Sequence, residues 1–214
     1  MRIDRAGIPF IAGTLLCGAA CMAFGLVAWA TAAAAAAGFF GFFFRDPDRR
    51  VPAAPGLVVS PADGRVVFAG AAEAGVAPRG AWRQVSVFLS PLDVHVNRVP
   101  VGGTVTRVDR SAGRFLPAYR REAAAENERC EIWIEHGAQT VVCRQVVGVL
   151  ARRIVCRLSA GMSVATGQRF GIMKFGSRMD VFVPDGVRLR VRAGDAVRGG
   201  ETVLAVLEGT TAPE

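Results

Sequence analysis

The stretch VRLRVRAGDAVRGGETVLAVL, residues 187–207, decides the fold class of this chain. Apolar residues alternate with arginine over residues 187–191, and a second apolar run fills residues 202–207. Gly194-Asp195 and Gly199-Gly200 lie between the two runs. Alternation with a period of two is typical of a half-buried strand, and steps of Gly and Asp are typical of tight turns. The stretch therefore predicts two strands that pair with each other within a β-rich domain.

Similar short runs rich in Val and Ile recur from residue 51 onward, separated by Gly, Pro and Asp. These further runs cover residues 64–68, 84–89, 103–108, 130–135, 140–149, 154–158 and 179–183. With the C-terminal pair they make nine short strands, which predict a sandwich or barrel-like core. The C-terminal pattern also resembles that of the small biotinyl and lipoyl carrier barrels. It displays no lysine at a turn to carry biotin or lipoate, so it supports a barrel-like fold and not a carrier function.

The N-terminal segment has a different composition, because residues 6–44 contain no Asp, Glu, Lys or Arg. This stretch is about twice the roughly 20 residues that one membrane-spanning helix needs. It predicts either a hairpin of two membrane helices or one span followed by an interfacial helix, so the fold is mainly β but α+β overall. A cleaved signal peptide is the alternative, although cleavage there would leave a cluster of phenylalanines exposed. We therefore divide the chain into a membrane-associated helical segment, residues 1–44, and a β-rich catalytic domain, residues 45–214.

Arginines flank the apolar segment on both sides: Arg2 and Arg5 precede it, and Arg45, Arg49 and Arg50 follow it. The positive-inside tendency favours the cytoplasm for both flanks, which predicts a hairpin in the inner membrane with the β domain on the cytoplasmic side. The formal net charge of the chain is +8. Its arginines are spread along the strands without an RNA-binding aromatic motif or a helix-turn-helix pattern, so an anionic membrane surface is a simpler partner than nucleic acid.

The remaining composition excludes several classes of protein. A chain of 214 residues has room for one globular domain with an accessory segment, not for a large multidomain enzyme. Its five cysteines form no CxxC pair and it has two histidines, so we predict neither a metal site nor a disulfide scaffold. Lys174 is the only lysine. Chemistry that needs a lysine, such as an aldimine with pyridoxal phosphate, therefore has one candidate position.

Several motifs that carry candidate chemistry follow one another behind the apolar segment. They are SPADGRV at residues 60–66, FLSPLDVHVNR at 88–98, GRFLPA at 113–118, NER at 127–129, GVLARRI at 148–154 and KFGSRMD at 174–180. In this order they make the chain resemble the phosphatidylserine decarboxylase family, most closely its short prokaryotic form, over residues 44–208. The resemblance implies a self-processing lyase that converts phosphatidylserine to phosphatidylethanolamine and carbon dioxide.

The resemblance also implies a pyruvoyl cofactor made from the chain itself. Ser177 attacks the carbonyl carbon of Gly176, the amide becomes an ester, and elimination and hydrolysis leave a pyruvoyl group in place of Ser177. Glycine before the serine suits this step, because a residue without Cβ permits close approach to its carbonyl. The products are a large chain, residues 1–176, and a small chain, residues 177–214, which remain partners. The substrate amine would then form a Schiff base with the pyruvoyl group, which serves as the electron sink.

The acid–base residues of the family match Asp63 in SPADG and His95 in DVH. A serine hydroxyl needs a base within hydrogen-bond reach, and a histidine also suits protonation of the decarboxylated product at neutral pH. Longer bacterial members carry a second histidine where this chain has Arg98, and an arginine stays protonated and cannot act as a base. The sequence leaves open whether His95 serves both steps or Asp63 activates Ser177 more directly.

Four further residues are candidate substrate contacts. Phe115 and Leu116 predict an apolar lip near the lipid, with packing inside a loop or core as the alternative. Arg152 and Arg153 predict contacts with phosphate or lipid headgroups, with a solvated strand edge as the alternative.

Two other functions stay open on the sequence alone. Lys174 and Ser177 have the residue types of a membrane Ser-Lys peptidase, although the Gly and Phe between them favour a turn over a helix. A membrane-anchored β-barrel that acts only as an adaptor needs no chemistry at Ser177. Self-cleavage separates these functions from a decarboxylase, whereas the oligomeric state, including a homo-oligomer, stays open.

Overall fold

The structure is a computed structural model that describes residues 2–120, 122–149, 153–174 and 177–207. The chain divides into two compact units, Met1–Asp48 and Arg49–Glu214.

The first unit is a helical hairpin. Its elements are β1 (Arg2–Ile3), a 3-10 turn (Arg5–Gly7), α1 (Ile8–Ala23), α2 (Val27–Phe43) and β2 (Arg45–Asp46). The two helices pack through rings such as those of Phe10 and Phe40, whose centroids are 5.3 Å apart. The strands β1 and β2 pair antiparallel, so the two ends of the hairpin meet.

The hairpin exposes apolar side chains. Leu16, Phe24 and Trp29 are 72%, 82% and 66% exposed, respectively. By length and composition, the helix Arg5–Ala23 can cross a membrane, and the apolar helix Val27–Phe43 is shorter. The two helices lie antiparallel as a hairpin, and one of them is long enough to span a membrane.

The second unit consists mainly of strands. They are β3 (Leu57–Val59), β4 (Gly64–Ala71), β5 (Trp82–Leu89), β6 (Val96–Arg98), β7 (Gly103–Ser111), β8 (Arg129–His136), β9 (Gln139–Val147), β10 (Ile154–Cys156), β11 (Ser163–Val164), β12 (Arg169–Met173), β13 (Ser177–Pro184), β14 (Ala196–Val197) and β15 (Val203–Val206). A single short helix, α3 (Ala123–Glu126), lies between β7 and β8. Every predicted run between residues 64 and 183 overlaps one of these strands, which confirms the mainly β, α+β fold class.

The strands form two main sheets. Eight of them make one curled antiparallel sheet in the order β11-β7-β8-β9-β13-β5-β4-β14. A three-stranded sheet has the order β10-β12-β6, and β15 pairs with β3. The core contains alternate residues of the large sheet, such as Val87 and Val181, together with Phe170 and Met173 of the small sheet. One face of the large sheet is therefore buried against the small sheet, as in a sandwich.

The pairing of the C-terminal runs differs from the prediction. Residues 187–191 meet the last strand only at an isolated antiparallel bridge between Leu189 and Ala205. The strand β15 pairs with β3 instead, which places Leu204 and Ala205 in the core at 1% and 0% exposure. A two-stranded hairpin on its own would leave these side chains in water, and such hairpins are marginally stable at best. The predicted antiparallel pairing of the two C-terminal runs is therefore present at this bridge, and most of β15 pairs with β3.

Candidate active site

Ser177 is the first residue of β13, a central strand of the large sheet. It pairs with Leu89 of β5 on one side and with Val147 of β9 on the other. Because side chains alternate along a strand, Ser177 faces the same side as Met179, which lies in the core. The side chain is fully buried, and Oγ accepts or donates no hydrogen bond within the part of the chain that the structure describes. A buried hydroxyl without a partner costs about 1–3 kcal/mol, so Ser177 is poorly explained as a packing residue.

The turn Ser90-Pro91-Leu92-Asp93 positions His95. The N–H of Asp93 donates to the carbonyl of Ser90 (3.0 Å), and the N–H of Ser90 donates to Oδ2 of Asp93 (2.8 Å). Proline in the second position and aspartate as the capping side chain are residues that tight turns favour. Nδ1 of the buried His95 then donates to the carbonyl of Asp93 (2.9 Å). Since a carbonyl only accepts, Nδ1 carries the proton and Nε2 is the basic nitrogen of the neutral ring.

Strand register brings His95 and Ser177 to one corner of the domain. This turn leads from β5 into β6, and residues 174–176 lead from β12 into β13. Because β5 pairs with β13 and β6 pairs with β12, the end of β12 and the start of β13 both lie next to strands that this turn joins. Val96 pairs with Ile172, so His95 is next in register beside Met173. Four residue steps separate Met173 from Ser177, which is at most about 14 Å.

Asp63 approaches the same corner from another direction. Residues 59–61 run antiparallel to residues 98–100: the N–H of Val59 donates to the carbonyl of Pro100, and the N–H of Arg98 donates to the carbonyl of Pro61, both at 2.8 Å. This contact leads the chain toward the end of β6 that carries His95. The backbone thus places Asp63 at the corner where the turn and the start of β13 meet.

Both carboxylate oxygens of Asp63 already have donors. Oδ2 accepts from the guanidinium of Arg49 at 2.7 Å, and Oδ1 accepts from the N–H of Gly199 at 2.7 Å. Arg49 also contacts Glu201 at 3.4 Å, and the N–H of Arg50 donates to Glu201 at 3.0 Å. The hydrogen bond from Arg50 and the charge of Arg49 lower the pKa of Glu201. The structure thus gives Asp63 a holding role toward residues 49 and 199, which the sequence analysis missed.

Arg98, which stands where longer relatives carry a second histidine, has a different environment. It is 5% exposed, and its guanidinium donates to the carbonyl of Gly167 at 3.1 Å. Its Cδ lies against Gly200, where an added Cβ would be 2.9 Å away. The side chain therefore ties together two connections of the domain and offers no base.

Asn127 holds the GRFLPA segment beside the predicted nucleophile. Its Nδ2 donates to the carbonyls of Leu116 and Val147, both at 2.8 Å, and its Oδ1 accepts from the N–H of Leu116 at 2.9 Å. Val147 pairs with Ser177, so the amide links this segment to a strand next to the site. Phe115 is exposed and Leu116 is half-buried, which suits an apolar lip. The sequence analysis quoted the NER motif but assigned Asn127 no role.

The predicted headgroup contacts are described only in part. Arg153 is exposed and precedes Ile154, which pairs with Met173. It therefore lies at the same end of the small sheet as His95. Arg152 and Gly176 lie outside the described residues.

Comparison with known proteins gives the family of this chain. The family profile of phosphatidylserine decarboxylase matches residues 36–205. A phosphatidylserine decarboxylase proenzyme of Paramagnetospirillum magneticum is 42% identical over 97% of this chain and 88% of its own length. The proenzyme of the same name from Nitrosomonas europaea is 43% identical over 95% of this chain and 94% of its own length. The one from Anaplasma phagocytophilum is 49% identical over 78% of this chain and 74% of its own length. The order of the motifs, the buried serine at the start of β13 and these matches agree, and the chain belongs to the phosphatidylserine decarboxylase family.

Proposed function

We propose that this protein is a pyruvoyl-dependent carboxy-lyase that cleaves its own backbone before Ser177 and converts phosphatidylserine to phosphatidylethanolamine and carbon dioxide. The observation that carries the proposal is the buried Oγ of Ser177, which has no hydrogen-bond partner in the described chain of a member of this family. The family match offers no support for the Ser-Lys peptidase or the adaptor.

An orphaned buried hydroxyl fits a residue that is consumed by a reaction. In the proposed self-cleavage, Oγ of Ser177 bonds to the carbonyl carbon of Gly176 while the peptide C–N bond breaks, which leaves an ester and a free amine. β-Elimination then releases the carboxylate of Gly176 and leaves an enamine at residue 177. Water hydrolyses its imine tautomer, ammonia departs, and a pyruvoyl group remains on the nitrogen of Arg178. When present, this group supplies a carbonyl that acts as an electron sink for decarboxylation.

The fold tolerates a cut at this point. The scissile bond joins Gly176, the last residue of the connection 174–176, to Ser177, the first residue of β13. The connection leads from β12 of the small sheet to β13 of the large sheet. Eight residues of β13 pair with β5, and six of these pair with β9 as well, so the ladders hold β13 in place without the covalent link. We therefore expect the two chains to remain one protein after cleavage.

The residues around the site have separate proposed roles. Nε2 of His95 takes or returns a proton, because its Nδ1 proton is committed to a backbone carbonyl. Asp63 accepts hydrogen bonds from Arg49 and from the N–H of Gly199 and so holds residues 49 and 199 beside the site. If Asp63 also activates Ser177, it does so in addition to this structural role. The exposed Phe115 and Arg153 are available for the acyl chains and the anionic headgroup of the lipid.

The hairpin and its flanking charges support attachment to the inner membrane. The paired strands β1 and β2 hold both ends of the hairpin together, as a segment that enters and leaves on one side requires. Arginines lie on both flanks, so we place that side in the cytoplasm. The phosphatidylserine substrate would then be met within the same bilayer.

Intact-mass analysis of the purified full chain tests the proposed function. We expect two chains, residues 1–176 and 177–214, with the small chain lighter by one ammonia than the same peptide with an N-terminal serine. The Ser177→Ala variant is expected to stay as one inactive chain.

Ser163→Ala is a matched control, because Ser163 is an exposed serine of the strand β11. It should cleave and decarboxylate like the unaltered protein. An active, unaltered chain that remains a single polypeptide would refute the proposal, as would normal cleavage in Ser177→Ala.

A further inference from the structure

Among the described residues, the strand ladders of the proposed small chain are formed with strands of the proposed large chain, apart from the isolated bridge between Leu189 and Ala205. β13 pairs with β5 and β9, β14 pairs with β4, and β15 pairs with β3. Before cleavage, the first residue of β13 is tethered to β12 by a three-residue connection. After cleavage, the same residue is a chain end, and chain ends fray unless side chains or ladders hold them.

A row of polar side chains crosses the large sheet at Asp180, three residues after Ser177. In register, Glu131 of β8, Arg144 of β9, Asp180 of β13 and Ser86 of β5 lie directly opposite one another. This row is on the face opposite to Ser177, because Asp180 is an odd number of residues away. All four side chains are buried or nearly so.

Arg178 joins this row from the second position of the small chain. Its Nε donates to Oδ1 of Asp180 at 2.6 Å, and its Nη2 donates to Oγ of Ser86 at 2.8 Å. Gln84 donates to the same hydroxyl at 2.9 Å, which holds Ser86 in place. Arg178 is 2% exposed and Asp180 is 0% exposed. The ion pair belongs to the small chain, and Ser86 belongs to the large chain.

A buried ion pair seldom adds stability over apolar side chains of similar size, because both charges lose their hydration. Its better supported use is to specify one arrangement among several. The ladders hold β13 within the sheet, but ladders and apolar contacts alone would tolerate a shift of β13 by two residues, because such a shift keeps every side chain on its own face. The guanidinium of Arg178, held by Asp180 and hydrogen-bonded to the hydroxyl of Ser86, fits one register of β13 against β5.

We propose that Arg178, Asp180 and Ser86 form a clasp that holds the new end of the small chain in register after cleavage. The inference rests on the proposed function, because it needs the cut before Ser177. The nitrogen of Arg178 carries the group formed from Ser177, so the clasp sets the position of that group relative to His95. The three residues are positioning residues, since none of them faces the reacting atoms.

The test compares cleaved and uncleaved protein. Ser86→Ala removes the acceptor on the large chain, and Asp180→Asn removes the charge that aligns Arg178. In the cleaved enzyme, we expect each change to speed hydrogen exchange at the amides of residues 178–180 by about tenfold or more, because a hydrogen bond to a charged group is lost. In the uncleaved Ser177→Ala background, the covalent tether remains, and we expect the same changes to speed exchange less than about threefold.

The kinetics should change in a corresponding way. A displaced chain end lowers kcat by about tenfold, while KM for phosphatidylserine vesicles stays within about threefold, because the lipid contacts are elsewhere. Glu131→Gln is the matched control: it removes the ion partner of Arg144, 2.5 Å away on the same face, but both residues belong to the large chain. Its effect on exchange should be the same in the cleaved and uncleaved proteins.

Each other result overturns the clasp. Equal acceleration in both backgrounds would show general destabilisation, and no acceleration in the cleaved enzyme would show that the end needs no clasp. If Ser86→Ala and Asp180→Asn both fold but fail to cleave, the network acts before cleavage and not after it. A wild-type chain that never cleaves refutes the proposed function itself, and a gel of the unaltered protein reveals this separately.

Discussion

Asn127 is the residue at which the structure permits the most quantitative prediction. Its buried amide makes three hydrogen bonds, two to Leu116 and one to the carbonyl of Val147. At a net value of about 1 kcal/mol for each bond, Asn127→Ala should lower the free energy of unfolding by about 3 kcal/mol. For a protein of this size, that corresponds to a fall in Tm of roughly 6–12 °C.

The activity should report which contact matters most. Without the amide, the segment that carries Phe115 and Leu116 is released from the strand that pairs with Ser177, so we expect KM for phosphatidylserine vesicles to rise more than kcat falls. Asn127→Asp retains the acceptor for the N–H of Leu116 but turns a carboxylate toward two carbonyls. We expect it to be at least as destabilising as the alanine, because the second oxygen of a buried carboxylate would face the carbonyls of Leu116 and Val147 without a donor.

The assays are thermal unfolding and lipid decarboxylation on the same preparations. Gln168→Ala is the control, because it removes one hydrogen bond of 2.9 Å to the N–H of Ala165 at an exposed turn. Its cost should stay below about 1 kcal/mol. The reasoning fails if Asn127→Ala lowers Tm by less than about 2 °C, or if KM is unchanged at a clearly lower Tm.

Three other outcomes follow from single side chains. His95→Asn should lower the decarboxylation rate at least about 100-fold, because an amide cannot exchange a proton as Nε2 does. The control His136→Asn alters a hydrogen bond to the backbone carbonyl of Gly102 and should retain normal activity. The release of carbon dioxide measures both variants. The hydrogen bond from Cys130 lowers the pKa of Cys156 to about 7. Its thiolate therefore forms as the pH rises through 7, and alkylation of this residue by iodoacetamide, located by peptide mass analysis because Cys17 is also exposed, should be about tenfold faster at pH 8 than at pH 6. The hydrogen bond from the N–H of Arg50 lowers the pKa of Glu201 below 4.5, so its contribution to stability is present at neutral pH and declines as the pH falls from 4.5 through that lowered pKa. Glu201→Gln should therefore reduce Tm slightly at pH 7, by less than about 4 °C, and the difference should shrink as the pH is lowered further below 4.5.

The strands were predictable where one face is buried and the apolar residues are not interrupted. The strand β12 was missed because Gly171 divides its short apolar run. That glycine is required by packing: an added Cβ would lie 2.2 Å from the carbonyl oxygen of Val155 on the neighbouring strand. In the sequence, Gly171 looks like the end of a strand. In the sheet, it is the point where β12 approaches β10 most closely, and the sequence of β12 alone does not show that approach.

The sequence names candidate site residues, but it does not predict their arrangement. His95 and Ser177 come to the same corner because β5 pairs with β13 and β6 pairs with β12, and no local pattern encodes those pairings. The partners of Asp63 are less visible still, since one of them is the backbone N–H of Gly199, 136 residues away. A backbone donor has no side-chain signature, so sequence motifs cannot reveal it.

The contacts that join residues 1–176 to residues 177–214 include specific polar pairs at both ends of the small chain. Arg178 bonds to Ser86 near its start, and Gly199 bonds to Asp63 farther along. Burial of apolar surface is not directional, so it keeps a strand in a sheet without fixing the position of its end. Hydrogen bonds between named partners supply that position. The rate of a reaction at a chain end depends strongly on where that end lies, because a displacement of about 1 Å is enough to lower the rate by a large factor. Strong binding of the chain to the sheet does not by itself fix that position. If the chain is cut before Ser177 as proposed, these polar pairs would preserve the geometry of the uncut protein.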